Sequence, residues 1–203
     1  MAIPIVESLW KPTEAIDITR NDGNIGTPIV LLVIAAVFSA ISGAILTFVL
    51  PKKEIFAKVP LNPGIVAALS FVGVLVGGLL LGLYLMMVMR ALNTRSTYFA
   101  GVATVAHTAM PASLGFLIFS ILSLGQLPGM IVGGIIALIF LALSAGTLYN
   151  ATREFFETDM ITALVGVSAF TASIALLVVL ISMKGITLIK PPTIPTAPTS
   201  PTL

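Results

Sequence analysis

The 203-residue chain has no cysteine, which excludes disulfides, thiolate nucleophiles, cysteine zinc sites and cysteine-ligated iron–sulfur clusters, and leaves the redox compartment open. Charge is scarce too: 9% of residues are Asp, Glu, Lys or Arg, against about 25% in a soluble domain. Ten Lys and Arg face eight acids, with no basic run longer than Lys52 and Lys53. That is too thin for a nucleic-acid surface. His107 is the single histidine, so no histidine pair can hold a metal. There is no HExxH, no G-x-S-x-G, no Walker-type GK[ST] loop and no carboxylate dyad inside an apolar stretch. Ser113 follows His107 by six residues, which on a regular helix sends the two side chains roughly opposite ways. No catalytic residue and no cofactor is expected, and the chain reads as a non-enzyme.

Apolar residues dominate what is there. They make up 58% of the chain, whose mean hydropathy is +1.13, and the sequence is that of an integral membrane protein. Five apolar segments, at 28–50, 64–89, 98–124, 128–149 and 160–183, each suffice to cross about 30 Å of hydrocarbon, which takes roughly 20 residues. The expected fold is all-α, a polytopic bundle of five transmembrane helices. Thr27 with Pro28 and Asn62 with Pro63 are helix starts, Pro51 a stop, and Lys184 with Gly185 a last-turn cation and C-cap. The link 125–127 is so short that spans three and four must form an antiparallel hairpin. The domain plan is an N-terminal segment (1–27), the membrane domain (28–184) and a disordered tail (185–203).

The N-terminal segment has acids and no uninterrupted apolar core, so it does not read as a cleavable signal. It is expected to lie at the membrane interface. Trp10, the only tryptophan, anchors it, with Ile5, Leu9, Ile16 and Ile18 toward lipid and Glu7, Lys11, Glu14 and Asp17 toward water. Asn21 to Gly26 forms a closing turn. Five spans put the termini on opposite sides. Lysines and arginines split five against five between the faces: Lys11, Arg20, Arg90, Arg95 and Arg153 against Lys52, Lys53, Lys58, Lys184 and Lys190. The positive-inside rule is therefore silent. The tail IKPPTIPTAPTSPTL, an extended Pro/Thr chain, favours an exterior C-terminus and a cytoplasmic N-terminus. On that assignment the Asn150–Ala151–Thr152 sequon lies inside and is fortuitous.

Small residues four apart mark close helix contacts in lipid. Span two carries Gly73 with Gly77 and Gly78 with Gly82, and span four carries Gly129 with Gly133. Packing within the bundle is the first reading of these pairs, and homodimerisation through span two is the alternative. The third span holds the only ionisable residue well inside a span. Pro111 has no N–H for the carbonyl of His107 four residues back, so an imidazole and a freed carbonyl share one turn. Thr104, His107, Thr108 and Pro111 form a candidate polar midplane site, suited to a small permease or sensor. With no acid in another span to pair with, the histidine is equally a neutral hydrogen-bonding group, with Ser39, Ser42 or Ser144 as expected partners. A second candidate is a cytoplasmic docking face of Trp10, Lys11, Arg90, Arg95, Arg153 and Glu154. There the acids of REFFETD (153–159) are expected to pair with Arg90 and Arg95, exposed pairs worth at most about 1 kcal/mol.

A KP-x-x-A element before span one (Lys11, Pro12, Ala15), a polar break after span two, and VAHTAMP (105–111) in a third span with a mid-span proline give the chain a family likeness. It resembles the Yip family, the Ypt/Rab-interacting integral membrane proteins, over roughly residues 9–183. Relatives often carry tyrosine near the position of His107. The resemblance implies a five-span bundle with a cytoplasmic N-terminus, and, in eukaryotic members, binding of prenylated Rab-type GTPases and partner membrane proteins in vesicle traffic. The very short N-terminal domain and the Pro/Thr tail depart from the eukaryotic pattern and point to a prokaryotic, archaeal member. The expected function is a membrane interaction or scaffold protein whose partners are the lipid bilayer and other membrane proteins or a small GTPase. A subunit of a larger complex is the third reading.

Overall fold

The computed structural model describes residues 5–49 and 62–188. The stop at Pro51, the loop charges Lys52, Lys53, Glu54 and Lys58, and the tail from Ile189 onward, with Lys190, lie outside the described residues. Two short helices, α1 (Ile5–Trp10) and α2 (Pro12–Asp22), precede five long ones: α3 (Gly26–Val49), α4 (Pro63–Ala91), α5 (Tyr98–Ser123), α6 (Gln126–Phe155) and α7 (Met160–Leu188). There is no strand among the described residues. All five long helices are long and apolar enough to cross a membrane, so the chain is an all-α integral membrane protein with five spans.

Local chemistry sets the boundaries. Proline opens α2, and Gly23 ends it at φ 59°, its N–H donating to the carbonyl of Thr19 at 3.2 Å. Only glycine reaches that left-handed backbone without a Cβ penalty. Asn62 caps α4 by accepting from Gly64 N at 2.9 Å, and Thr97 caps α5 by accepting from Ala100 N at 3.1 Å. Asp159 caps α7, accepting from the backbone of Ile161 at 3.1 Å and Thr162 at 3.2 Å. Two helices outrun the sequence pattern. Helix α6 continues to Phe155 and lifts Asn150 to Glu154 above the apolar segment as helix, and α7 runs through Lys184 and Gly185 to Leu188. Gly185 is therefore not a C-cap. A glycine costs about 1 kcal/mol inside a helix, but in lipid, breaking the ladder exposes backbone groups that nothing else satisfies.

Helix α5 is the hub. It packs on α6 as the return arm of a hairpin, and on α3 and α4, while α7 lies outermost against α6 and α4. Its N-terminal stretch Ala100 to His107 is buried all round. Closest approach occurs where α4 crosses α5: a Cβ on Gly82 would stand 2.9 Å from the backbone of Val102, and one on Gly101 would strike the carbonyl of Gly82. Of the other packing glycines, Gly78 lies on Leu32, Gly129 on the backbone of Leu122, and Gly133 within 3.2 Å of Phe119 and Leu122. Gly73 and Gly77 face open space, with nothing within 4 Å.

The N-terminal helices do not rest on a lipid surface with their isoleucines outward. Ile16 is fully buried in a cluster with Leu85, Met89, Ala103, Leu148, Phe155 and Phe156. Ile5 and Leu9 pack against a second cluster of Leu31, Leu32, Ala35, Val102, Ala106 and Met110. Burying an aliphatic side chain fully is worth about 1.5–3 kcal/mol. The bundle end offers a ready-made apolar surface for it, so these residues fold inward and only Ile18 of the four stays exposed.

Candidate functional site at the buried histidine

The candidate polar site is built on the central turns of α5. The hydroxyl of Thr104 donates to the carbonyl of Ala100 at 2.8 Å, and that of Thr108 to Thr104 O at 2.7 Å. Both are spent on their own helix. Pro111 sits inside α5. Beside the carbonyl that it leaves free, the Ser144 hydroxyl of α6 donates to Thr108 O at 2.7 Å. That bond goes to the carbonyl one residue on from the carbonyl of His107 that Pro111 frees.

His107 is fully buried, yet none of the expected serines meets it. Ser144 is taken up as just described, and Ser42 donates to Phe38 O in its own helix at 2.8 Å. The imidazole meets the N-terminal helix pair instead. Its Nε2 lies 2.9 Å from the Thr19 hydroxyl of α2, and its Nδ1 3.4 Å from the Ser8 hydroxyl of α1. A neutral imidazole has one donor and one acceptor nitrogen, and a hydroxyl answers either. The ring also stacks on Phe155 of α6, with centroids 5.9 Å apart and planes at 29°. One side chain of the central span therefore touches α1, α2 and α6 at once. A signal for this existed in the sequence. Ala15, Ile16 and Thr19 form the buried stripe of α2, and a threonine on a buried stripe needs a polar partner that the lone intramembrane histidine can provide.

The residues expected to form the docking face lie in two groups. Near α2, Arg20 reaches Glu154 at 3.3 Å and Glu157 at 2.8 Å, and Arg153 pairs with Glu154 at 2.7 Å. Of the acids of REFFETD, Glu154 and Glu157 are thus held by Arg20 and Arg153, not by Arg90 and Arg95, because α2 is laid across the end of α6. A polar cleft of about 320 Å³, lined by Thr13, Ile16, Asp17, Asn150, Arg153 and Glu154, remains between these two helices. Lys11 pairs with Glu14 at 2.9 Å, and the bond and charge of that carboxylate hold its ammonium above the ordinary lysine value. Arg90 is exposed at the end of α4. Arg95 lines a second cleft with residues of the α6–α7 link. Trp10 is 76% exposed, as is Val6 one turn earlier at 65%.

The Yip1 domain, compared as a family model, matches residues 7–183, from within α1 to within α7. No curated protein matches the chain, and no solved structure does.

Proposed function

The chain belongs to the Yip family, and from that premise we propose that it is a non-enzymatic membrane interaction protein whose N-terminal end is a docking face on the cytoplasmic side. The partner is another membrane protein or a small GTPase. One observation carries the reading: an exposed aromatic and an exposed aliphatic side chain, Trp10 and Val6, stand on a helix pair that is itself pinned to the bundle core. Ile5, Leu9 and Ile16 pack beneath, His107 bonds from within, and Arg20 ties the rim. Exposed tryptophan on a rigid support, ringed by charged residues, is the usual make-up of an energetic anchor at a protein interface. Lys11, Arg153 and Glu154 supply the polar rim, while Arg95 lines a separate cleft.

The imidazole serves the platform in this reading. Its ring nitrogens face Thr19 and Ser8, and it is closed to solvent, so it supports the position of the helix pair rather than a solute path. The test is affinity purification from native membranes of the intact protein and of a Trp10→Ala, Arg153→Ala variant. A membrane protein or GTPase recovered with the intact protein in near-stoichiometric amount, and lost with the variant, supports the proposal. Equal recovery from both, or none from either, refutes it.

A further inference from the structure

The second cleft, of about 410 Å³, lies between the α4–α5 link and the α6–α7 link. One wall carries Asn93 and Arg95, the other Glu157, Thr158, Asp159 and Thr162. Among the described residues no carboxylate lies within ion-pair distance of Arg95. The acids opposite are engaged in part. Glu157 gives one oxygen to Arg20 at 2.8 Å, and Asp159 accepts from the backbone N–H groups of Ile161 and Thr162 and from the Thr162 side chain. A carboxylate has about four lone-pair sites, so both keep some accepting capacity. The cleft thus holds an uncommitted guanidinium on one side and two incompletely used carboxylates on the other.

The place matters as much as the charges. Both links join membrane-spanning helices, and directly below Asp159 the side chains of Met160 and Ile161 are 68% and 73% exposed. A molecule held in the cleft has an apolar flank to lie against. A pure anion would meet two carboxylates, and a pure cation would meet Arg95, so the charge pattern selects a molecule that carries both signs. We propose that this cleft is a headgroup site for an aminophospholipid, with its phosphodiester on Arg95 and Asn93 and its ammonium on Asp159 and Glu157. Guanidinium binds phosphate through paired charge-assisted bonds, and basic pockets between spans host the phosphates of lipid headgroups. The site needs no protein partner and stands apart from the docking face in its chemistry.

The test is native mass spectrometry of the protein released from nanodiscs made of equal parts phosphatidylethanolamine, phosphatidylcholine and phosphatidylglycerol. Retained lipid should be enriched in phosphatidylethanolamine. Arg95→Gln should cut that retention on the order of tenfold, the effect of one lost charge-assisted contact. Asp159→Asn keeps a side-chain cap for α7 and removes the charge. It should erase the preference for the primary ammonium over the quaternary one. Circular dichroism that matches the wild type verifies that both variants are folded. Retained lipid that mirrors the bulk mixture, a preference for phosphatidylglycerol, or retention unchanged in Arg95→Gln overturns the proposal. Free phosphoethanolamine, added to delipidated protein in detergent, separates the sources. If it binds as tightly as the lipid, the ligand is a soluble zwitterion and the lipid assignment falls.

Discussion

Replacing His107 by alanine should release the N-terminal helix pair while leaving the five spans assembled. The imidazole makes one well-formed bond, 2.9 Å to Thr19, and one marginal contact, 3.4 Å to Ser8. A single hydrogen bond is worth about 0.5–1.5 kcal/mol, and stranding a buried hydroxyl costs about 1–3 kcal/mol. Loss of the stacked contact with Phe155 adds about 0.5–1.5 kcal/mol if it behaves as an aromatic pair. The first two terms overlap and fall on docking of α1 and α2, at about 2–3 kcal/mol, while the stacking term falls on the seam between α5 and α6. Hydrogen exchange in nanodiscs reads this directly: amides of residues 5–22 should lose protection by about 30- to 150-fold, at tenfold per 1.4 kcal/mol. Amides in α3 to α6 should hold. Glutamine at the same position, which can reach Thr19 with an amide, should lose far less. If α1 and α2 exchange equally fast in wild type and His107→Ala, or if the spans loosen with them, the histidine is not the pin described here.

Three further outcomes follow from particular contacts. Gly101→Ala and Gly82→Ala drive a methyl into backbone across the α4–α5 crossing and should cost about 1–3 kcal/mol by overpacking, visible as a lower unfolding midpoint in detergent; Gly73→Ala and Gly77→Ala, which meet nothing within 4 Å, should leave it unchanged. Arg20→Ala removes the pairs with Glu154 and Glu157, but these are exposed and salt-screened, so the loss should stay within about 1 kcal/mol and vanish at high salt. The Asp159 carboxyl is held below the ordinary carboxylate value, first by its bond with the Thr162 side chain and then by backbone N–H groups. Because the folded value is the lower one, its cap is fully present above the unfolded pKa of about 4 and is lost as pH falls through the folded value. The unfolding midpoint of wild type should therefore drop relative to that of Asp159→Asn only below about pH 4; a difference that changes between pH 7 and 5 would contradict the assignment.

The five spans were legible because lipid imposes a length and a composition that no other environment does, and the caps at Asn62 and Thr97 and the turn at Gly23 follow from local backbone chemistry. The family resemblance was legible in KP-x-x-A and VAHTAMP for a related reason: prolines mark fixed positions along helices. Partner choice was not legible. Thr19 and His107 are 88 residues apart, and only the docking of α2 across the end of α6 makes them neighbours. The same docking takes Glu154 and Glu157 for Arg20 and leaves Arg95 facing its own cleft. Periodicity misled at α1 and α2 because an amphipathic stripe reads alike whether it lies on lipid or on a bundle. Ile5, Leu9 and Ile16 found protein. Of the glycines in span two, the pattern alone could not separate Gly78 and Gly82, which pack, from Gly73 and Gly77, which face outward.

A photoreactive residue placed at position 10, in the full-length protein in its native membrane, puts the proposal of a docking face to the most direct trial. The account predicts a discrete protein–protein product at position 10, weakened by Arg153→Ala and absent when the same residue replaces Leu138 on the lipid-facing side of α6, where the side chain is 67% exposed. Lipid adducts alone at both positions would show that Trp10 is a membrane anchor and contradict it.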